Sequence, residues 1–84
     1  MTLYSDRDLH FLTSPASPLM EGNRHYDVLL TGPAGWAHSY EVQAPNAKAA
    51  KTIAREHAVR ISRIVDNPRV ASCVRSETFV AEGF

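Results

Sequence analysis

The run Asn46-Ala47-Lys48-Ala49-Ala50-Lys51-Thr52-Ile53-Ala54-Arg55-Glu56-His57-Ala58-Val59-Arg60-Ile61-Ser62-Arg63-Ile64-Val65-Asp66-Asn67-Pro68 decides the fold. At about 100° of turn per residue, Ala47, Ala50, Ile53, Ala54, His57, Ala58, Ile61, Ile64 and Val65 share one arc, which predicts an amphipathic helix over 47–65. Lys48, Lys51, Thr52, Arg55, Ser62 and Arg63 take the opposite arc, where Val59 is the one apolar residue. Asn46 is a good N-cap, since its side-chain oxygen can accept from the free amides of the first turn. Asp66-Asn67-Pro68 supplies the stop, because a residue before proline is pushed away from helical backbone angles.

The flanking segments read as sheet that covers the alanine- and isoleucine-lined arc. Over His25–Thr31, Tyr26, Val28 and Leu30 alternate with Asp27 and Thr31, the pattern of a strand with one apolar face. Gly32-Pro33-Ala34-Gly35 is turn chemistry. Trp36–Ala44 returns as a second strand, with Trp36, His38, Tyr40 and Val42 on one face and Ser39, Glu41 and Gln43 on the other. Pairing Tyr26 with Tyr40 and Val28 with His38 puts both apolar sets on one side and leaves the other side wet. Beyond the helix, Arg69–Arg75 predicts a third strand, with Val70 and Val74 on one face and Ala71 and Cys73 on the other; Glu77–Phe84 would extend it or trail off. A right-handed crossover by the helix sets strand three beside strand one. The expected fold is therefore α+β: a two-layer ββαβ unit whose three-stranded sheet, antiparallel or mixed, has the order 2-1-3 and packs on one amphipathic helix. It occupies residues 25–84. Residues 1–24 read as a partly ordered acidic arm, in which Leu9-His10-Phe11-Leu12 is a candidate short strand and Pro15 and Pro18 lack donors for pairing.

Eighty-four residues make one small domain with a thin core, and a hydrophobic content of 44% is too high for a wholly disordered chain. The apolar residues are interrupted too often for a membrane span, and acidic residues stand where a signal peptide needs basic ones. With Cys73 as the single cysteine, no internal disulfide is open to the chain, and the expectation is a soluble cytoplasmic protein. Formal net charge is zero but polarised. Residues 48–75 carry seven basic side chains against Glu56 and Asp66, a net +5; residues 1–47 sum to −3 and the tail, with Glu77 and Glu82, to −2. Such a bipolar surface suits docking to an acidic partner, and equally describes a solvated helix face.

Chemistry-bearing motifs are few. His10, His25, His38 and His57 lack the spacing of zinc ligands, and Cys73 has no companion, so no metal or other cofactor is expected. His57 lies in the apolar arc, where a neutral imidazole needs a polar partner such as Tyr26, Tyr40 or a backbone carbonyl. Gly32-Pro33-Ala34-Gly35 matches the G-x-x-G of KH domains in letters, but that loop joins two helices and this one joins two strands. No Gly-Lys-Ser/Thr follows it, which excludes a phosphate loop. There is no nucleophile elbow, carboxylate pair or dinucleotide fingerprint, and no catalytic residue is assigned.

The run Tyr40-Glu41-Val42-Gln43-Ala44-Pro45-Asn46, then an alanine-rich basic helix, Asn67-Pro68 and a closing strand, resembles small accessory proteins of phages and mobile elements, some anti-CRISPR proteins among them. The likeness covers roughly residues 25 to 80 and is one of architecture. It implies a non-enzymatic inhibitor that occupies the surface of a host complex in the bacterial cytoplasm. Lys48, Lys51, Arg55 and Arg63, joined by Arg60 and with Trp36 as an apolar anchor, are the candidate partner-binding residues. They would meet an acidic protein surface, while the acidic arm and tail would suit a nucleic-acid-binding subunit. The second reading is a small nucleic-acid-binding accessory protein that uses the same basic face on phosphates. A three-stranded sheet also has open edges, which would permit a homodimer by edge-strand pairing.

Overall fold

The computed structural model describes residues 4–64 and 67–76, and its elements run α1 (Asp6–Leu12), β1 (Arg24–Thr31), β2 (Ala37–Ala44), α2 (Ala47–Arg60) and β3 (Arg69–Arg75). The three strands form an α+β sheet of order β2-β1-β3 in which β1 is antiparallel to both neighbours. Alternation places Tyr26, Val28 and Leu30 of the central strand in the core, together with Val42 and Ala44 of β2 and Ala50, Ile53, Ala54 and Ala58 of α2. Small residues dominate the helix side of that core, so α2 can lie close on the sheet. Asn46 caps α2 as its sequence predicts, its Oδ1 accepting from the Ala49 amide at 2.9 Å.

The hairpin register differs from the expected one by two residues: Tyr26 faces Val42, Val28 faces Tyr40 and Leu30 faces His38. A shift of two preserves the faces, so the alternation alone could not choose between the registers. The turn decides it. The Gly35 amide donates to the Gly32 carbonyl at 3.0 Å, Gly35 takes φ +85°, and the Gly32 amide closes the loop on the Trp36 carbonyl, leaving Trp36 outside β2.

Helix α2 stops at Arg60, short of the expected Val65. Arg63 has φ 56°, in the left-handed region, and the reversal there brings the Ile64 amide to the Ala58 carbonyl at 2.8 Å. Ile61 and Ile64 still pack on the core, but from this terminal turn and not from a helical arc. Residues 65 and 66 and the tail 77–84, which the expected helix and third strand reached, lie outside the described residues.

Strand β3 has the expected bounds and a different phase. Its partners run Leu29 with Ser72 and then Leu30 with Val70, so Ala71 is an extra residue in a β-bulge. The bulge resets the alternation: Val70 and Cys73 both face the core, and Val74 turns outward, 57% exposed.

The N-terminal arm contains a helix where a strand was a candidate. Ser5 Oγ accepts from the Asp8 amide, Asp6 and Asp8 occupy the first turn, and Leu9 is fully buried. Helix α1 packs on α2 and on β2, adding a second helix to the expected one. The rest of the arm crosses the face expected to be wet. Gln43 is 1% exposed; its Oε1 accepts from the Met20 amide at 2.9 Å and from Asn23 Nδ2 at 3.1 Å, and its Nε2 donates to the Pro18 carbonyl at 3.0 Å. A buried carboxamide with these three bonds holds the segment that covers it.

Candidate functional site

Because α2 turns about 100° per residue, Lys48, Lys51, Thr52, Arg55 and Val59 fall within one arc pointing away from the sheet. Lys48, Lys51 and Arg55 are exposed, and among the described residues none of the three forms an ion pair. They span about 10 Å along the helix axis. Val59, 49% exposed, continues the arc as an apolar patch. A shallow groove of about 310 Å³ runs from Arg55, Val59 and Thr52 to Asn67 and Pro68.

The remaining expected site residues are elsewhere. Arg63 is exposed, but the helix has ended before it, so it does not continue the stripe. Trp36 is half-buried at the hairpin turn, its indole packed against Gly32 so closely that a β-carbon there would collide with it. β2 runs from that turn to the start of α2, so Trp36 and Lys48 belong to opposite ends of the domain. Arg60 is structural: it pairs with Asp6 and Glu56 and donates to the Tyr4 carbonyl, tying the start of α1 to the end of α2.

A row of rings crosses the same end of the molecule. His10 of α1 meets His57 of α2 edge-on at 5.7 Å, His57 meets Tyr40 of β2 at 5.3 Å, and His38 and Trp36 follow along β2. Tyr40, one of the partners open to His57 on sequence, directs its hydroxyl instead to Ser62 Oγ at 3.1 Å. His57 Nδ1 is buried and has no hydrogen-bond partner. Burial, and to a smaller extent His10, hold the His57 imidazole below its ordinary pKa. Among the described residues no three His, Cys, Asp or Glu side chains converge as metal ligands. Burial also pushes the Cys73 thiol up, against a smaller opposite pull from Lys51, which keeps it protonated and a poor nucleophile.

The geometry is therefore that of a small α+β domain with a basic helix face, and what it can do chemically is attract and orient an anionic surface. No protein-family model matches the chain, and neither the curated proteins nor the solved structures contain a match to it. Among the described residues no helix is long and apolar enough to cross a membrane.

Sequence reasoning found the Lys48, Lys51 and Arg55 arc and missed the Gln43 clamp, the Arg60 tie and the contact of His10 with His57. Ser5 followed by Asp8, three residues on and just before Leu9, is a capping signature that could have revealed α1.

Proposed function

We propose that the chain is a non-enzymatic protein-interaction module that docks an acidic protein surface through Lys48, Lys51 and Arg55. The observation that carries the proposal is the unpaired exposure of three cations on one short arc of α2. Folding does not require them, since any mixture of polar side chains would solvate that face, and like charge at this spacing costs some self-repulsion. Val59 and the neighbouring groove offer apolar surface beside the charges, the combination of charge and apolar area used by docking sites. The architectural likeness of residues 25 to 80 to phage-borne inhibitors extends the proposal to a host complex whose working surface is blocked. Arg63 lies past the end of α2 and Trp36 at the other end of β2 from the start of α2, so neither is part of the arc.

The same three cations could instead track a phosphate backbone, and salt dependence separates the two readings. Three phosphate contacts on a DNA duplex would give a slope of about −2.7 in log affinity against log salt. The test is binding of the wild type and of Lys51→Glu/Arg55→Glu to an affinity-captured host protein, beside gel shifts with duplex DNA across a salt series. The double reversal should weaken the protein complex by at least about tenfold, roughly 1.4 kcal/mol, with an unchanged melting temperature. Protein binding that survives the reversal would remove the arc from the interface; a gel shift with the steep slope would favour the nucleic-acid reading.

A further inference from the structure

Helix α1 is a small element held by few contacts. It has seven residues, a length that is not stable as an isolated helix, and Leu9 is its one buried side chain. Its start is latched by Arg60 to Asp6 and to the Tyr4 carbonyl. Its end brings His10 edge-on to His57, on a ring whose buried Nδ1 has no partner. We propose that α1 is a pH-gated flap, docked on α2 while His57 is neutral and released when His57 is protonated.

The docked site has room for a neutral imidazole and no acceptor for a second N–H. Protonation of His57 would place an unsatisfied N–H and a positive charge in the contact with the His10 ring. The groups facing His57 do not relieve this. Tyr40 of β2 presents its ring, with His38 beyond it, and the Tyr40 hydroxyl is bonded to Ser62. The acidic groups of α1 and α2 nearest this end, Asp6 and Glu56, pair with Arg60. From β1 and β3 the inward titratable groups are Tyr26 and Cys73, and neither brings a carboxylate to accept from a second His57 N–H. Water can reach the buried His57 Nδ1 only if a neighbour moves, and α1, with Leu9 as its one fully buried side chain, is the neighbour with the least to lose. The direction follows from the depressed docked pKa of His57: docking is fully stabilised above about pH 6.5 and loses stability as pH falls through the docked value. Release would also free Arg60 from Asp6 beside the groove of α2.

The test compares amide hydrogen exchange of the Leu9 and Thr13 amides, which hydrogen-bond within and at the end of α1, with that of Val28 and Val42 in the sheet. Between about pH 7.5 and pH 5.5, corrected for intrinsic rates, α1 opening should rise while the sheet stays protected, up to about tenfold per pH unit for one linked proton. His57→Phe keeps a ring on Tyr40 and should abolish most of the rise. His10→Gln removes the ring that faces His57 without touching the core and should reduce it, which serves if the phenylalanine variant does not fold. Parallel loss of protection in α1 and sheet, no rise at all, or an undiminished rise in both variants would overturn the proposal.

Discussion

Replacing Gln43 with glutamate changes one donor group to an acceptor in a buried side chain that makes three hydrogen bonds. The carboxylate can still accept from the Met20 amide and Asn23 Nδ2, but where Gln43 Nε2 donates to the Pro18 carbonyl at 3.0 Å, two oxygens would face each other. Burying the charge outright would raise the carboxyl pKa by several units, yet the cover is only the loop 18–23, which can lift and admit water. The loss is therefore capped by what the clamp contributes. Three hydrogen bonds at about 0.5–1.5 kcal/mol each set that cap near 1.5–4.5 kcal/mol, and we expect a deficit of about 2–3 kcal/mol at neutral pH. Protonation restores a donor toward Pro18. Since the folded pKa is raised above the unfolded value of about 4.3, the variant's missing stability returns as pH falls toward that value and is lost again as pH rises through the folded pKa. Thermal melts of both proteins from about pH 4 to pH 8 measure the difference, in which the wild type's own acid sensitivity cancels. At about 4–8 °C per kcal/mol, the gap should exceed roughly 8 °C at pH 7 and shrink in acid. A gap that is absent, or constant with pH, would refute the role assigned to the Nε2 bond.

Three further perturbations probe other elements. Leu9→Ala should remove about 2–3 kcal/mol of buried aliphatic contact, enough to detach α1 while the sheet stays folded; loss of exchange protection confined to residues 6–13 is the expected signature. Gly32→Ala drives a methyl into the indole of Trp36 and should cost about 1–3 kcal/mol with a red-shifted tryptophan emission, whereas unchanged emission would contradict the packing at the turn. Arg63→Gly relieves a left-handed backbone and should raise stability by about 0.5–1 kcal/mol in denaturant titrations, with no loss of partner binding.

Periodicity made the central features legible. β1 alternates without a break, β3 has its expected bounds, and Asn46 starts α2 where the capping rule puts it. What the sequence concealed shares a physical character: each case is a local backbone event that shifts a pattern without changing composition. One extra residue at Ala71 shifted the alternation of β3, so Val74, read as sharing a face with Val70, is exposed while Cys73 joins Val70 against the core. One left-handed residue at Arg63 ended a helix whose apolar spacing continues through Ile64. Gln43 was assigned to water because its strand partners are polar, and only the tertiary path of residues 18–23 buries it. For the candidate site, Lys48, Lys51 and Arg55 were readable because they depend on helical phase alone. Arg63 and Trp36 were not, since their positions depend on where a helix stops and how a turn closes.

The order β2-β1-β3 has a consequence for how the chain is made. β1 is the central strand but is synthesised before either neighbour. Its hairpin partner β2 follows at once, whereas β3 emerges roughly thirty residues after β2 has ended. At about 5–20 residues per second, the ribosome takes roughly 2 to 6 seconds over that interval. Meanwhile one side of β1 presents unpaired amides and carbonyls, and the apolar face of Tyr26, Val28 and Leu30 waits for α2. A nascent chain in this condition is exposed to strand addition from neighbouring nascent chains on a crowded polysome. Slow codons between residues 45 and 75 would lengthen the exposure and lower the soluble yield, though the finished protein would be identical.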